Sequence, residues 1–109
     1  MQDTISKIEE RIRNAGTLKE ENRAELLDLM GQLKSEINTL AQTHQEQARS
    51  IAGFTEISAH EATRAEKHPA LLKHSLLGLE TSVEELGQTH PKLAGVVNRI
   101  VAMLADMGI

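Results

Sequence analysis

Apolar residues recur at intervals of three and four along most of the chain. Before Pro69 they run Leu26, Met30, Leu33, Ile37, Leu40, then Ile51 and Phe54. After it they run Leu72, Leu76, Leu79, Val83, Leu86, Leu93, Val97, Ile100, Leu104 and Met107. This heptad rhythm predicts an all-α chain whose helices pack along a seam. The two blocks are out of phase with each other, and the slip falls at Pro69. Proline lacks the N–H an interior helical residue donates and drives the residue before it out of the α region, so it marks a break and a fresh start. The pattern predicts one domain over 1–109, with helices at about 3–15, 18–67, 69–87 and 90–107 and a turn at 67–70.

A tight turn there folds the chain into a long antiparallel hairpin. Residues at matching distances from the turn then face each other: Ala65 with Leu72, Phe54 with Val83, Leu40 with Val97, Met30 with Met107. Gln47 falls opposite His90, and His44 is a further polar seam position. The arm from 18 to 67 would be about 75 Å long at 1.5 Å per residue. Its middle is lean, with His44, Gln47, Ser58 and Glu61 on the seam and Ala41, Ala48 and Ala62 beside it. The base is richer, with Leu27, Leu29, Val96, Val101 and Met103 flanking the seam. The base therefore invites a third helix, and the N-terminal segment with Ile5, Ile8 and Ile12 supplies one. The slim distal arms bury too little to stand alone, which points to a homo-oligomer, most simply a dimer with a four-helix section.

Local signals set the remaining boundaries. Asn14-Ala15-Gly16 reads as a left-handed stop for the first helix, and Thr17 with Glu20 reads as a capping box for the second. The run Lys19-Glu20-Glu21-Asn22-Arg23 reads as a solvated face. Gly87-Gln88-Thr89-His90-Pro91 predicts a kink or a one-turn interruption, with both arms staying on the same seam.

Composition narrows the function more than it defines it. The net charge of −4 is spread evenly over 109 residues, and the chain holds one Phe and no Trp or Tyr. Nucleic-acid binding, which wants a basic face and stacking platforms, is not expected. No apolar run approaches the roughly 18 residues of a membrane span, no signal pattern opens the chain, and there is no cysteine. Lys92 and Arg99 are the only basic residues of the last helix, too few for a lipid-surface helix. The expected location is the cytoplasm.

Five histidines raise the question of a metal. His60, His68 and His74 gather toward the hairpin tip, but His60 is followed at i+4 by Arg64 and no H-E-x-x-H or E-x-x-H occurs. No metal or cofactor is expected. There is no phosphate loop, nucleophile elbow or paired acid–base constellation, so no enzyme is expected either.

Thr89-His90-Pro91-Lys92-Leu93, Asn98-Arg99-Ile100 and the closing Leu104-Ala105-Asp106-Met107-Gly108-Ile109 resemble the ending of a family of short, uncharacterised bacterial proteins classed as a domain of unknown function. Ala59-His60-Glu61-Ala62-Thr63-Arg64 is similar as well. The resemblance implies a bacterial helical protein and carries over no activity. The expected role is a self-associating scaffold or adaptor that binds another protein. Its contact surfaces would be the apolar base, with Leu27, Leu29, Val96, Val101, Met103, Met107 and Ile109, and the charged tip around Arg64 to His74. The alternative is a metal- or pH-responsive sensor built on the tip histidines.

Overall fold

The computed structural model describes residues 2–108. Five helices are present among them: α1 (Gln2–Asn14), α2 (Glu20–Ala41), α3 (Gln45–Thr63), α4 (Pro69–Glu84) and α5 (Pro91–Gly108). The all-α class follows the sequence. The expected 75 Å arm does not, because the chain breaks at Gln42-Thr43-His44 and measures only 37 × 24 × 20 Å. The second arm breaks likewise, after Glu84, and α5 turns back instead of continuing along the same line.

Each arm is thus doubled over, and the packing partners reveal how. α3 packs on α4, and α2 packs on α5. Glu36 of α2 meets Lys92 of α5 at 3.7 Å, so these two helices run antiparallel. At the other end Gly108 sits on Leu72 and Ala62, beside the start of α4 and the end of α3. His44 and His90, which precede α3 and α5, meet edge to face with ring centroids 5.6 Å apart. α2, α3, α4 and α5 therefore form an up-down-up-down four-helix bundle within one chain. The four-helix section that the sequence assigned to two chains is made by one.

The two halves of this bundle repeat one another. Leu40-Ala41-Gln42-Thr43-His44 recurs as Leu86-Gly87-Gln88-Thr89-His90. At the same offset Leu26, Leu33, Ala48 and Ala59 recur as Leu72, Leu79, Ala94 and Ala105. The two breaks are built alike. His44 N–H donates to Leu40 O and His90 N–H to Leu86 O, both at 2.7 Å. Thr43 Oγ1 lies 2.7 Å from His44 Nδ1, and Thr89 Oγ1 lies 2.9 Å from His90 Nδ1. α3 and α5 lie side by side with like ends together, so an approximate two-fold axis exchanges the hairpin α2–α3 with the hairpin α4–α5.

α3 is the hub, touching all four other helices. Its buried residues are mostly small: Ala48, Ala52, Thr55, Ser58, Ala59 and Ala62. Small side chains let neighbouring backbones approach closely. What reads in sequence as a lean, open seam is a face of α3 closed over by its neighbours. Only Ile51 among its buried residues is bulky and apolar.

α1 breaks the two-fold. It packs on α2 and α3, with Ile5, Ile8 and Ile12 at 0–1% exposure. Fully buried side chains of this size each stabilise by about 1.5–3 kcal/mol. Its C-terminus does not use a left-handed glycine, since no described residue has positive φ. Arg23 caps it instead. Nη1 donates to Ile12 O (2.6 Å) and Arg13 O (2.9 Å), and Nη2 donates to Leu18 O (3.2 Å). A guanidinium here satisfies carbonyls the helix leaves unpaired and sits favourably at the negative end of its dipole. Arg23 is therefore a clamp, not part of a solvated run. The Thr17 capping box is absent too: Lys19 holds the N-cap position, without a side-chain hydrogen bond.

Pro69 opens α4 as the sequence required, with His68 as its N-cap accepting at Nδ1 from the Leu71 N–H at 3.3 Å. α3 ends earlier than expected, at Thr63, so the turn spans 64–68. There the Lys67 ammonium donates to the Ala62 carbonyl.

Candidate functional site

The residues singled out in sequence scatter when placed on this bundle. Leu29 and Val96, at 2% and 3% exposure, belong to the core and are closed to a partner. Leu27, Val101, Met103 and Met107 are half-buried against that core. Ile109 lies outside the described residues. Packing thus closes Leu29 and Val96, whereas Met103 and Met107 line a pocket at the base together with Leu18, Asn22 and Glu25.

The polar seam residues are also rearranged. Gln47 is exposed, and the ring that meets His90 is that of His44. His44 takes its place, since the two breaks meet at the two-fold. Phe54 lies over Gly78 rather than Val83: a Cβ at residue 78 would collide with its ring.

Among the tip histidines, His60 Nε2 lies 3.7 Å from Glu61 Oε2, His68 caps α4, and His74 is exposed on α4. They serve different elements. No three His, Cys, Asp or Glu side chains converge as a metal site among the described residues. Glu61 is buried and held by Arg64, whose Nη1 lies 2.7 Å from Oε1. That is the compensation its position demands. The Ser58 hydroxyl, in the middle of α3, is buried without a hydrogen-bond partner among the described residues.

The feature that sequence reasoning missed lies on α3 and α4. Among the described residues, the large apolar side chains that stay exposed are Phe54 (36%), Ile57 (49%), Leu71 (44%) and Leu77 (60%), and all four belong to this helix pair. Phe54 and Ile57 are one turn apart on α3. Phe54, His74, Leu77 and Gly78 line one shallow groove between the helices. Gly78 makes the groove, since its missing side chain leaves room for the phenyl ring on the α4 backbone. The sequence signal was present in the doublets Leu71-Leu72 and Leu76-Leu77. In a helix, one leucine of such a pair faces the core and its neighbour lies about 100° away.

The two-fold supplies a control for this face. The outer side of α2 is lined by Asp28, Gly31, Gln32 and Ser35. The corresponding residues of α4 are His74, Leu77, Gly78 and Thr81, which line the groove on that helix. Glu25 corresponds to Leu71. One helix presents an ordinary polar surface where its counterpart presents an apolar one.

The charges of α4 are unusual as well. Lys73 lies toward its N-terminus, Glu80 and Glu84 toward its C-terminus, with no acid in the first turn and no base in the last. Glu84, in the last turn, opposes the helix dipole at a cost of some 0.3–1 kcal/mol.

Residues 64–109, comprising the turn, α4 and α5, match a family described as a domain of unknown function (DUF4404). The match agrees with the expected kinship to an uncharacterised domain family and covers the second hairpin. No curated protein and no solved structure matches the chain.

Proposed function

We propose that the protein is a helical interaction module that self-associates through the outer face of α3 and α4, and that it acts by binding rather than by catalysis. The observation that carries this reading is the gathering of Phe54, Ile57, Leu71 and Leu77, the exposed large apolar side chains among the described residues, on the adjoining helices α3 and α4. Scattered single hydrophobes are ordinary on a protein surface, whereas a contiguous group rimmed by charge marks a contact site. The internal two-fold strengthens it, since the equivalent α2 surface carries none of these side chains. The reading moves the contact from the base and the tip, where the sequence put it, to the outer face of α3 and α4. A further protein partner would bind the assembled module, as an adaptor does. The same reading places it in a bacterial cytoplasm, on the absence of cysteine and the resemblance of the closing motif.

Light scattering on a sizing column, from micromolar to near-millimolar concentration, tests it. Wild-type protein is expected to move from monomer toward dimer, and Leu77→Glu is expected to stay monomeric with its helicity unchanged. A wild type that remains monomeric throughout contradicts the self-association reading.

A further inference from the structure

We infer that the partner of α4 is α4 of a second copy, lying antiparallel across a two-fold axis at Leu77. This rests on the self-association reading and adds its geometry. Three observations converge on it. Leu77 lies at the middle of α4 (Pro69–Glu84) and is the most exposed large apolar residue among those described. The outward stripe of α4 is Ala70, Lys73, His74, Leu77, Glu80 and Glu84, all exposed at helical spacings of three and four. Its charge changes sign at Leu77: Lys73 lies on one side, Glu80 and Glu84 on the other.

A two-fold contact is isologous, so every residue i that meets j is matched by a j that meets i. With Leu77 on the axis, position 74 faces 80, position 73 faces 81, and position 70 faces 84. Lys73 of each copy then lies beside Glu80 of the other. A parallel arrangement would stack Lys73 on Lys73 and Glu80 on Glu80, which like-charge repulsion opposes. The placement of Lys73 before Leu77 and of Glu80 and Glu84 after it makes two antiparallel copies complementary. Phe54 and Leu77 line the same shallow groove of one copy, so Leu77 of the second copy would also lie near the Phe54 ring that rests on Gly78. The counterpart helix α2 has Gly31 where α4 has Leu77 and cannot make this contact.

The chain contains no cysteine, so a single introduced thiol reports on one position alone. Under mild oxidation Leu77→Cys is expected to form a disulfide-linked dimer, because residues on the axis bring their Cα atoms within disulfide range. Gly31→Cys, at the equivalent exposed position of α2, is expected to stay monomeric under the same conditions. Charge reversal gives an independent readout that leaves Leu77 in place. Lys73→Glu and Glu80→Lys are each expected to weaken dimerisation about tenfold by setting like charges opposite, and the double variant is expected to recover it. A dimeric wild type whose Leu77→Cys fails to cross-link, or whose charge-reversed pair fails to recover, overturns the antiparallel register while leaving self-association standing. A wild type that never dimerises overturns both.

Discussion

The hairpins α2–α3 and α4–α5 share a framework and differ in what covers them. Both have leucines at matched positions, and both break at a Gln-Thr-His sequence whose histidines meet at the two-fold. The first hairpin is covered by α1, and its hub helix buries Ala52, Thr55 and Ala59 almost completely. Their counterparts on α5, Asn98, Val101 and Ala105, stay exposed or half-buried. The second hairpin has no such cover and instead carries an apolar outer face on α4. Within one chain, then, the same scaffold serves twice: once to hold a helix of its own, once to present a surface. Identical framework positions do not imply identical roles, because the residues between them decide which face is closed.

The difference can be broken from the first hairpin. Ile8→Ala removes a buried anchor of α1 and is expected to cost about 2–5 kcal/mol, read as a lower midpoint in urea unfolding. Ala59→Leu overfills the enclosed face of α3 and is expected to cost about 1–3 kcal/mol, whereas Ala105→Leu, its half-buried counterpart on α5, should cost less than about 1 kcal/mol. Equal losses at these two sites would mean that the halves are covered alike. Arg23→Met removes three charge-assisted bonds to carbonyls at the α1–α2 junction, with an expected loss of about 2 kcal/mol. The counterpart of Arg23 is Pro69, which clamps nothing. Smallest is the effect of Gly31→Ala. A Cβ at Gly31 meets nothing within 4 Å, so the gain in helix propensity of about 1 kcal/mol or less should appear as added stability with association unchanged.

Helix content, the start at Pro69 and the apolar stripe of α1 were legible because each has a local cause. The break at Gln42–His44 was not legible as a break. It contains neither proline nor glycine, and the heptad spacing runs up to it from Leu26 to Leu40. What decides it is non-local: a straight arm would leave α3 with too few partners, and folding back encloses its small residues between four helices. The repetition of Gln-Thr-His was the clue, since the second copy ends in Pro91 and is plainly a helix start. The capping role of Arg23 was hidden for a similar reason. Its three acceptors belong to α1 and the link, and only the folded junction brings them to the guanidinium. The outer face of α4 was hidden because Leu71 and Leu77 each adjoin a core leucine and were absorbed into the seam.

The most direct test of an associating α3–α4 face is a dilution series followed by NMR on isotopically labelled protein. Resonances of Phe54, Ile57, Leu71 and Leu77 should move with concentration, while those of Asp28, Gly31 and Ser35 on the equivalent face of α2 stay fixed. Shifts centred on α2, or none on either face, would contradict the account.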